Sequence, residues 1–285
     1  ADLKIDCNCR KPKTGMIDQA MRDFNGDRKQ SWLIGDTTVD METARRAGLR
    51  SILVETGYAG LDGRTSAAPD FVLPDLSGAV TFILHRYPKL FADCTALAAN
   101  INKGALIFIG GQPRCGKSLF ASVLRDALNA SAKRAFVMAM DRWAKKEPAA
   151  GAGPSGKFEM DAVQSLVNAL ADTNRRPDSL SLPNHHKRAS QSNASEETLA
   201  VNPTDIILIE GVAALALDSA ASTESHRYHV DIEESVRKQR VLAGHRLQGH
   251  SDEQSLHLYL AHLQEDFPAI ENFAARAKRI SLSSP

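Results

Sequence analysis

Eight consecutive residues, Gly111-Gln112-Pro113-Arg114-Cys115-Gly116-Lys117-Ser118, are of the types that can close around a polyphosphate. They satisfy G-x-x-x-x-G-K-[ST] without a mismatch. A continuous apolar run, Ala105–Ile109, precedes them, and Leu119, Phe120, Val123, Leu124 and Leu128 follow at helical spacing. Glycines let such a loop turn its N–H groups onto phosphate oxygens, and the helix start adds partial positive charge. In that frame Lys117 reaches the outer phosphates and the Ser118 hydroxyl meets Mg2+. Pro113 removes one N–H from the loop and Arg114 fills a variable position. Cys115 lies beside Lys117 and a helix start, which predicts a lowered thiol pKa.

Carboxylates at strand ends extend this pattern. Ile206–Ile209 reads as a buried strand closed by Glu210-Gly211, the place for a Mg2+-linked carboxylate. Ala135–Met140 reads as another, followed by Asp141, which could equally cap a helix. Arg237, Arg240 and Arg246 recur along a helical stretch. They could stabilise charge on a transferring phosphoryl group or simply form a solvated face.

A second cluster stands near the amino terminus, Cys7-Asn8-Cys9-Arg10-Lys11-Pro12-Lys13-Thr14-Gly15-Met16, with Gly35-Asp36-Thr-Thr-Val-Asp40 after the strand Ser31–Ile34. Two aspartates four residues apart past a strand end suit Mg2+, and a neighbouring lysine and arginine suit a phosphate. The Gly-Asp step could also be only a turn and helix cap.

Short apolar runs alternate with helical patterns throughout, which predicts an α/β protein built on parallel sheets. The amino-terminal part shows a helix near Met16–Phe24, strand Ser31–Ile34, helix Met41–Ala47, and strands Ser51–Val54 and Phe71–Leu73. The rest shows strands at Ala105–Ile109, Ala135–Met140, Ile206–Ile209 and Tyr228–Ile232, loops at Ala149–Gly156 and Ser190–Glu197, and a helical tail, Glu234–Lys278. The division expected is a unit over 1–88, a linker over 89–103 and a second unit over 104–285. Lys+Arg 35 against Asp+Glu 34 leaves a net charge of +1, which offers no field for nucleic acid or an anionic membrane. No apolar run approaches the roughly 20 residues of a membrane span. Four cysteines are too few for a disulfide framework, so a reducing cytoplasm is the expected compartment. The chain begins with Ala1 and runs at once into a motif, as a portion of a longer polypeptide would.

From about Lys103 onward the sequence resembles the uridine kinase and phosphoribulokinase branch of P-loop kinases. The match rests on the loop Gly110–Ser118, Met140-Asp141-Arg142-Trp143, Ile207-Leu208-Ile209-Glu210-Gly211, and Val230-Asp231 followed by Arg237 and Arg240. The resemblance implies ATP and Mg2+ as cofactors, with residues 111–119 (Gln112 and Leu119 included) on the nucleotide. It implies Ser118 and Glu210 at the metal, Asp141 as base for an acceptor hydroxyl, and Arg237 and Arg240 on a closing lid. Gln248-Gly249 stands where the family lid carries Arg-Gly. The acceptor segment is not recognisable in Leu182–Arg188, whose His185, His186, Lys187 and Arg188 could read an anionic sugar phosphate.

Residues from about Cys7 to Leu76 resemble the haloacid dehalogenase (HAD) phosphatases of the heptose 1,7-bisphosphate and histidinol-phosphate group. That likeness implies Lys11 as the active-site lysine, Arg10 on phosphate, Asp36 on Mg2+, and Cys7 and Cys9 as half of a zinc site. Zinc would then bind only if a complete phosphatase domain is present. Thr14 replaces a family proline. The family's nucleophilic Asp-x-Asp-Gly-Thr is absent from this sequence, so phosphatase activity is not expected of the chain. The leading expectation is a kinase acting on a small sugar, sugar phosphate or nucleoside, with no nucleic acid or membrane partner. The alternatives are a heptose bisphosphate phosphatase in a longer parent and a non-catalytic nucleotide-binding regulator. An incomplete sheet edge makes a homodimer possible.

Overall fold

The computed structural model describes residues 7–149, 151–174, 176–183, 196–220 and 223–282. The chain divides into two compact units, one formed by residues up to Pro88 and the other by residues from Lys89 on, residues 185–194 apart. His185, His186, Lys187 and Arg188, the candidate sugar-phosphate readers, lie outside the described residues.

The first unit runs α1 (Gly15–Asp23), β1 (Trp32–Gly35), α2 (Thr38–Ala47), β2 (Arg50–Val54) and β3 (Phe71–Leu73). It continues through α3 (Leu76–Thr81) and a π turn (Phe82–Arg86). The three strands form a parallel sheet in the order β1-β2-β3. Helix α2 starts early, at Thr38, because Thr37 and Asp40 close a reciprocal capping box. It stops at Gly48, whose φ of +69° is a left-handed cap. Leu33, Ala44, Ala47 and Leu49 form a small core, while Trp32, Phe71, Phe82 and Tyr87 pack edge to face.

Residues 89–103 are not a free connector. Helix α4 (Tyr87–Ala98) occupies most of the stretch, Cys94, Ala98 and Ile101 are fully buried, and Lys133 donates to the carbonyls of Ala98 and Ile101, both at 2.7 Å. The apolar spacing Tyr87, Cys94, Ala98 belongs to a packed helix.

The second unit carries β4 (Leu106–Gly110), α5 (Lys117–Ala130), β5 (Ala135–Ala139), α6 (Gly153–Gly156) and α7 (Met160–Ala171). A hairpin follows, β6 (Ser179–Pro183) with β7 (Glu196–Ala200), then β8 (Ile206–Glu210) and β9 (Ser225–Asp231). The chain closes with α8 (Glu234–Leu247), α9 (Asp252–Glu265), α10 (Phe267–Phe273) and β10 (Lys278–Ser281). Five strands form one parallel sheet, β10-β9-β4-β8-β5. Every residue of β4 and β8 is buried, as a sheet covered on both faces requires. Leu106, Phe108, Ile207 and Ile209 join a core with Val163, Val167 and Leu170 of α7 on one face. The alternate residues point to the other face, where α5 packs on β4, β5 and β8. The tail is helical only to its last turn, since β10 pairs in parallel with β9.

Candidate functional site

The order of the large sheet sets the geometry of the site. Because all five strands are parallel, their carboxyl ends open along one edge, where ligands bind in such sheets. The loop 111–116 leaves the middle strand β4 there. Glu210 ends the neighbouring β8, in register with Ile109 on one side and Ala139 on the other. Asp141 lies in a 3-10 turn two residues past Ala139.

The loop's conformation depends on its glycines. Gly111 has a φ of +141°, and a Cβ there would sit 2.3 Å from the Val230 carbonyl oxygen and 2.9 Å from Cys115 Sγ. Gly116 has a φ of +107°, and a Cβ would strike Leu282 at 2.6 Å. Lys117 is buried and its Nζ donates to the Gln112 carbonyl at 2.9 Å. Ser118 Oγ donates to Glu210 Oε1 at 2.9 Å, joining the first turn of α5 to the end of β8. A hydroxyl and a buried carboxylate are the hard oxygen donors Mg2+ takes, and this ion commonly uses one or two protein groups with substrate phosphates completing its shell. The residues present fit that role.

The arginines are already engaged. Arg237 is 1% exposed; its Nε and one Nη donate to Glu234 at 2.6 Å each, and the other Nη reaches the Pro113 carbonyl at 3.5 Å. Burial works against its charge, but the Glu234 carboxylate outweighs this and raises its pKa. Tyr259 Oη donates to the same carboxylate and its ring lies under the guanidinium. In this structure Arg237 therefore braces the loop from α8. Arg240 is half-buried on that helix, and Arg246 is exposed and paired with Asp252. Arg114, at a φ of +64°, lays its guanidinium on Gly244 of α8, where a Cβ would come within 2.5 Å of it.

One expectation is reversed. Cys115 is buried, and burial pushes its thiol pKa up despite Lys117 and a backbone hydrogen bond that favour the thiolate. Proximity to a cation in sequence does not ensure the solvent exposure that thiolate chemistry needs.

Sequence reasoning put Gln112 only on the nucleotide and passed over its companions. Its side chain is buried and donates to Glu271 Oε1 at 3.2 Å, while its amide oxygen faces His262 Nε2 at 3.1 Å. His229, fully buried on β9, has Nε2 3.3 Å from the same Glu271 oxygen. A cavity of ≈ 400 Å3 opens here, lined in part by Gln112, Asp231, Glu271 and Arg279. These partners lie more than a hundred residues from the loop, and no local pattern announces them.

In the first unit Lys11 Nζ donates to Asp40 Oδ1 at 2.6 Å, and Thr37 donates to Asp40 Oδ2 through its hydroxyl at 2.6 Å and its N–H at 3.1 Å. Burial pushes the Asp40 carboxyl up, but the Lys11 and Thr37 hydrogen bonds outweigh it and lower the pKa. Asp36 Oδ2 accepts the Tyr58 N–H at 2.9 Å, and a Cβ on Gly57 would lie 2.2 Å from that oxygen. Arg10 is exposed in the preceding turn. Lys11, Asp36 and Asp40 thus belong to the mouth of the small sheet. Cys7 and Cys9 are bonded to each other as a disulfide. As found, neither offers the thiolate that the expected half zinc site requires. Among the described residues no three His, Cys, Asp or Glu side chains converge as a metal site.

Residues 8–79 match the HAD-hydrolase-like family. The D-glycero-beta-D-manno-heptose-1,7-bisphosphate 7-phosphatase of Haemophilus ducreyi is 40% identical over 78 residues, 27% of this chain and 42% of that protein. The chain spans less than half the length of the curated relatives it matches. Among solved structures, a possible uridine kinase from Bacillus stearothermophilus aligns over 69% of this chain and 99% of its own, at 15% identity and a TM-score of 0.44. The D-glycerate 3-kinase of Cryptococcus neoformans aligns over 70% and 94%, at 13% identity and a TM-score of 0.44. The chain joins a HAD-hydrolase-like segment, residues 8–79, to a larger α/β unit whose five-stranded parallel sheet carries the Gly-x-x-x-x-Gly-Lys-Ser loop.

Proposed function

We propose that the larger unit transfers a phosphoryl group from ATP to a hydroxyl of a small molecule, a sugar, sugar phosphate or nucleoside. The observation that carries this reading is the Ser118–Glu210 hydrogen bond at 2.9 Å beside a Lys117 already folded into the loop. Loop amides and Lys117 hold the outer phosphates, and Ser118 and Glu210 hold the Mg2+ that neutralises their charge. Asp141 takes the proton of the acceptor hydroxyl as its oxygen attacks the terminal phosphorus and the bond to ADP breaks. Arg237 braces the loop through the Pro113 carbonyl, and Arg240 supplies positive charge beside it. The test is ATP consumption with Mg2+ over a panel of nucleosides, sugars and sugar phosphates, with Lys117→Ala as blank. Turnover with one acceptor, lost by roughly 10²–10⁴-fold in Asp141→Asn while ATP still binds, is the expected result. Unchanged turnover in Asp141→Asn removes Asp141 from the mechanism, and ATP binding without turnover for any acceptor favours a regulator.

The Lys11–Asp40 ion pair and Asp36 favour a second reading for the first unit. It would be the rear part of a sugar bisphosphate phosphatase, complete in a longer parent polypeptide that supplies the aspartyl nucleophile. Intact mass of the natural gene product tests this, since a product of about the mass of this chain, 30.9 kDa, refutes it.

A further inference from the structure

The contacts of Gln112 fix where hydrogens must lie. Its side-chain NH2 donates to Glu271 Oε1 at 3.2 Å and to the Phe267 carbonyl at 3.4 Å, two groups that only accept. The amide oxygen is therefore the atom 3.1 Å from His262 Nε2, and that nitrogen must carry a hydrogen. The other ring nitrogen, Nδ1, is 3.0 Å from Asp266 Oδ2, again an acceptor, so it needs a hydrogen as well. A neutral imidazole carries one hydrogen; only the imidazolium makes both contacts at once.

The surroundings of the ring pull in two directions. Asp266 faces it at the end of α9, and Lys157, just past α6, pairs with the same carboxylate oxygen. Arg237 and Glu234 face it from α8, and Glu271 of α10 lies behind Gln112. The second Asp266 oxygen is buried without a hydrogen-bond partner, which favours another cation beside that carboxylate. Burial nonetheless lowers the ring's pKa, opposed by Asp266 and reinforced by Arg237 and Lys157. In the free protein burial thus works against the second hydrogen that the two contacts call for. An incoming polyphosphate brings negative charge to the loop and shifts that balance toward the imidazolium.

We propose that His262 is a positioning residue of the phosphate-binding loop, holding Gln112 and the carbonyl on which Lys117 rests when its ring carries both hydrogens, so that polyphosphate binding takes up a proton. This rests on the reading of the loop as a nucleotide site. Gln112 joins the two ends of the coupling, with His262 on its side chain and Lys117 on its carbonyl.

The test is calorimetric titration of the full chain with ATP and Mg2+ from about pH 5.5 to 8.5, in two buffers of different ionisation enthalpy. The proteins are wild type, His262→Gln, His262→Asn and Lys117→Ala. Glutamine puts a permanent donor where Nε2 stood; asparagine puts one where Nδ1 stood and does not reach Gln112. Wild-type affinity is expected to weaken about fivefold as pH rises through the titration, the worth of one hydrogen bond. His262→Gln should keep the tight value and His262→Asn the weak one, both without that step. Protons taken up by ATP itself are common to all variants and cancel in the comparison. A step that survives in both variants, or wild-type proton uptake no greater than that of His262→Gln, overturns the proposal. If neither variant folds, long-range 15N spectra of the wild-type ring decide. Two N–H groups with ATP and one without support the coupling; one in both states refutes it. Lys117→Ala separates the two layers of argument. Equal ATP binding by Lys117→Ala and wild type, or none by wild type, removes the nucleotide reading and this inference with it.

Discussion

Replacing Gly111 by alanine tests whether the loop is held by the sheet beneath it. The substitution meets two obstacles. The φ of +141° lies where only glycine is at ease, and the new methyl would stand 2.3 Å from the Val230 carbonyl oxygen. Val230 cannot yield cheaply, because β9 is hydrogen-bonded to β4 on one side and β10 on the other. The backbone strain is worth about 1–3 kcal/mol and the forced contact about 1–3 kcal/mol, together about 2–6 kcal/mol unless the loop lifts away. Gly249→Ala is the internal control. Its φ is +90° but nothing lies within 4 Å, so it carries only the backbone cost, about 1–2 kcal/mol. Thermal unfolding reads the difference at roughly 2–4 °C per kcal/mol for a unit of this size. ATP titration reads whether the loop escaped its strain by leaving the cradle. The expected result is a larger fall in Tm for Gly111→Ala than for Gly249→Ala, or a comparable fall with ATP affinity lost at least tenfold. Equal Tm values with unchanged ATP affinity would refute the close approach of loop and strand.

Two further outcomes follow from the core and from a carboxylate. Phe108→Ala, at a fully buried position of the middle strand with Arg227 stacked 4.6 Å above the ring, should cost about 3–5 kcal/mol in denaturant unfolding of the larger unit. Glu42 is held at about 2, against an ordinary 4.5, chiefly by the Arg45 hydrogen bond and then by Arg46, with burial opposing. A depressed carboxyl stabilises the fold above its unfolded value and loses that contribution as pH falls through the folded one. The first unit should therefore lose stability between about pH 4.5 and 2, an effect that Glu42→Gln removes from acid titrations of its unfolding.

Much of the arrangement was legible wherever chemistry and position coincide locally. The loop 111–118 names itself, because strand, glycines, lysine and helix are contiguous. The buried runs of β4 and β8 are equally local. What escaped is non-local or short. Lys278–Ser281 is four residues with two cations, and only its pairing with β9 makes it a strand. The hairpin strands β6 and β7 need each other in the same way. The buried Cys115 depends on neighbours that sequence order hides, Asp231 and Glu210 among them. Arg237 looks like an exposed helical arginine until Glu234, Tyr259 and the Pro113 carbonyl close over it.

The spacing of the partners in the site has a consequence for how the protein is made. Ser118 meets Glu210 across 92 residues, and Gln112 meets Glu271 across 159. The middle strand β4 is synthesised first, yet both strands that flank it come from much later in the chain. Contacts of such long sequence separation form slowly, since the loop-closure entropy must be overcome before they stabilise anything. On the ribosome, the loop 111–118 therefore emerges long before the surfaces that shape it. Until β8 and β9 have followed, β4 presents two unpaired edges and an apolar face, the features that chaperones recognise in nascent chains.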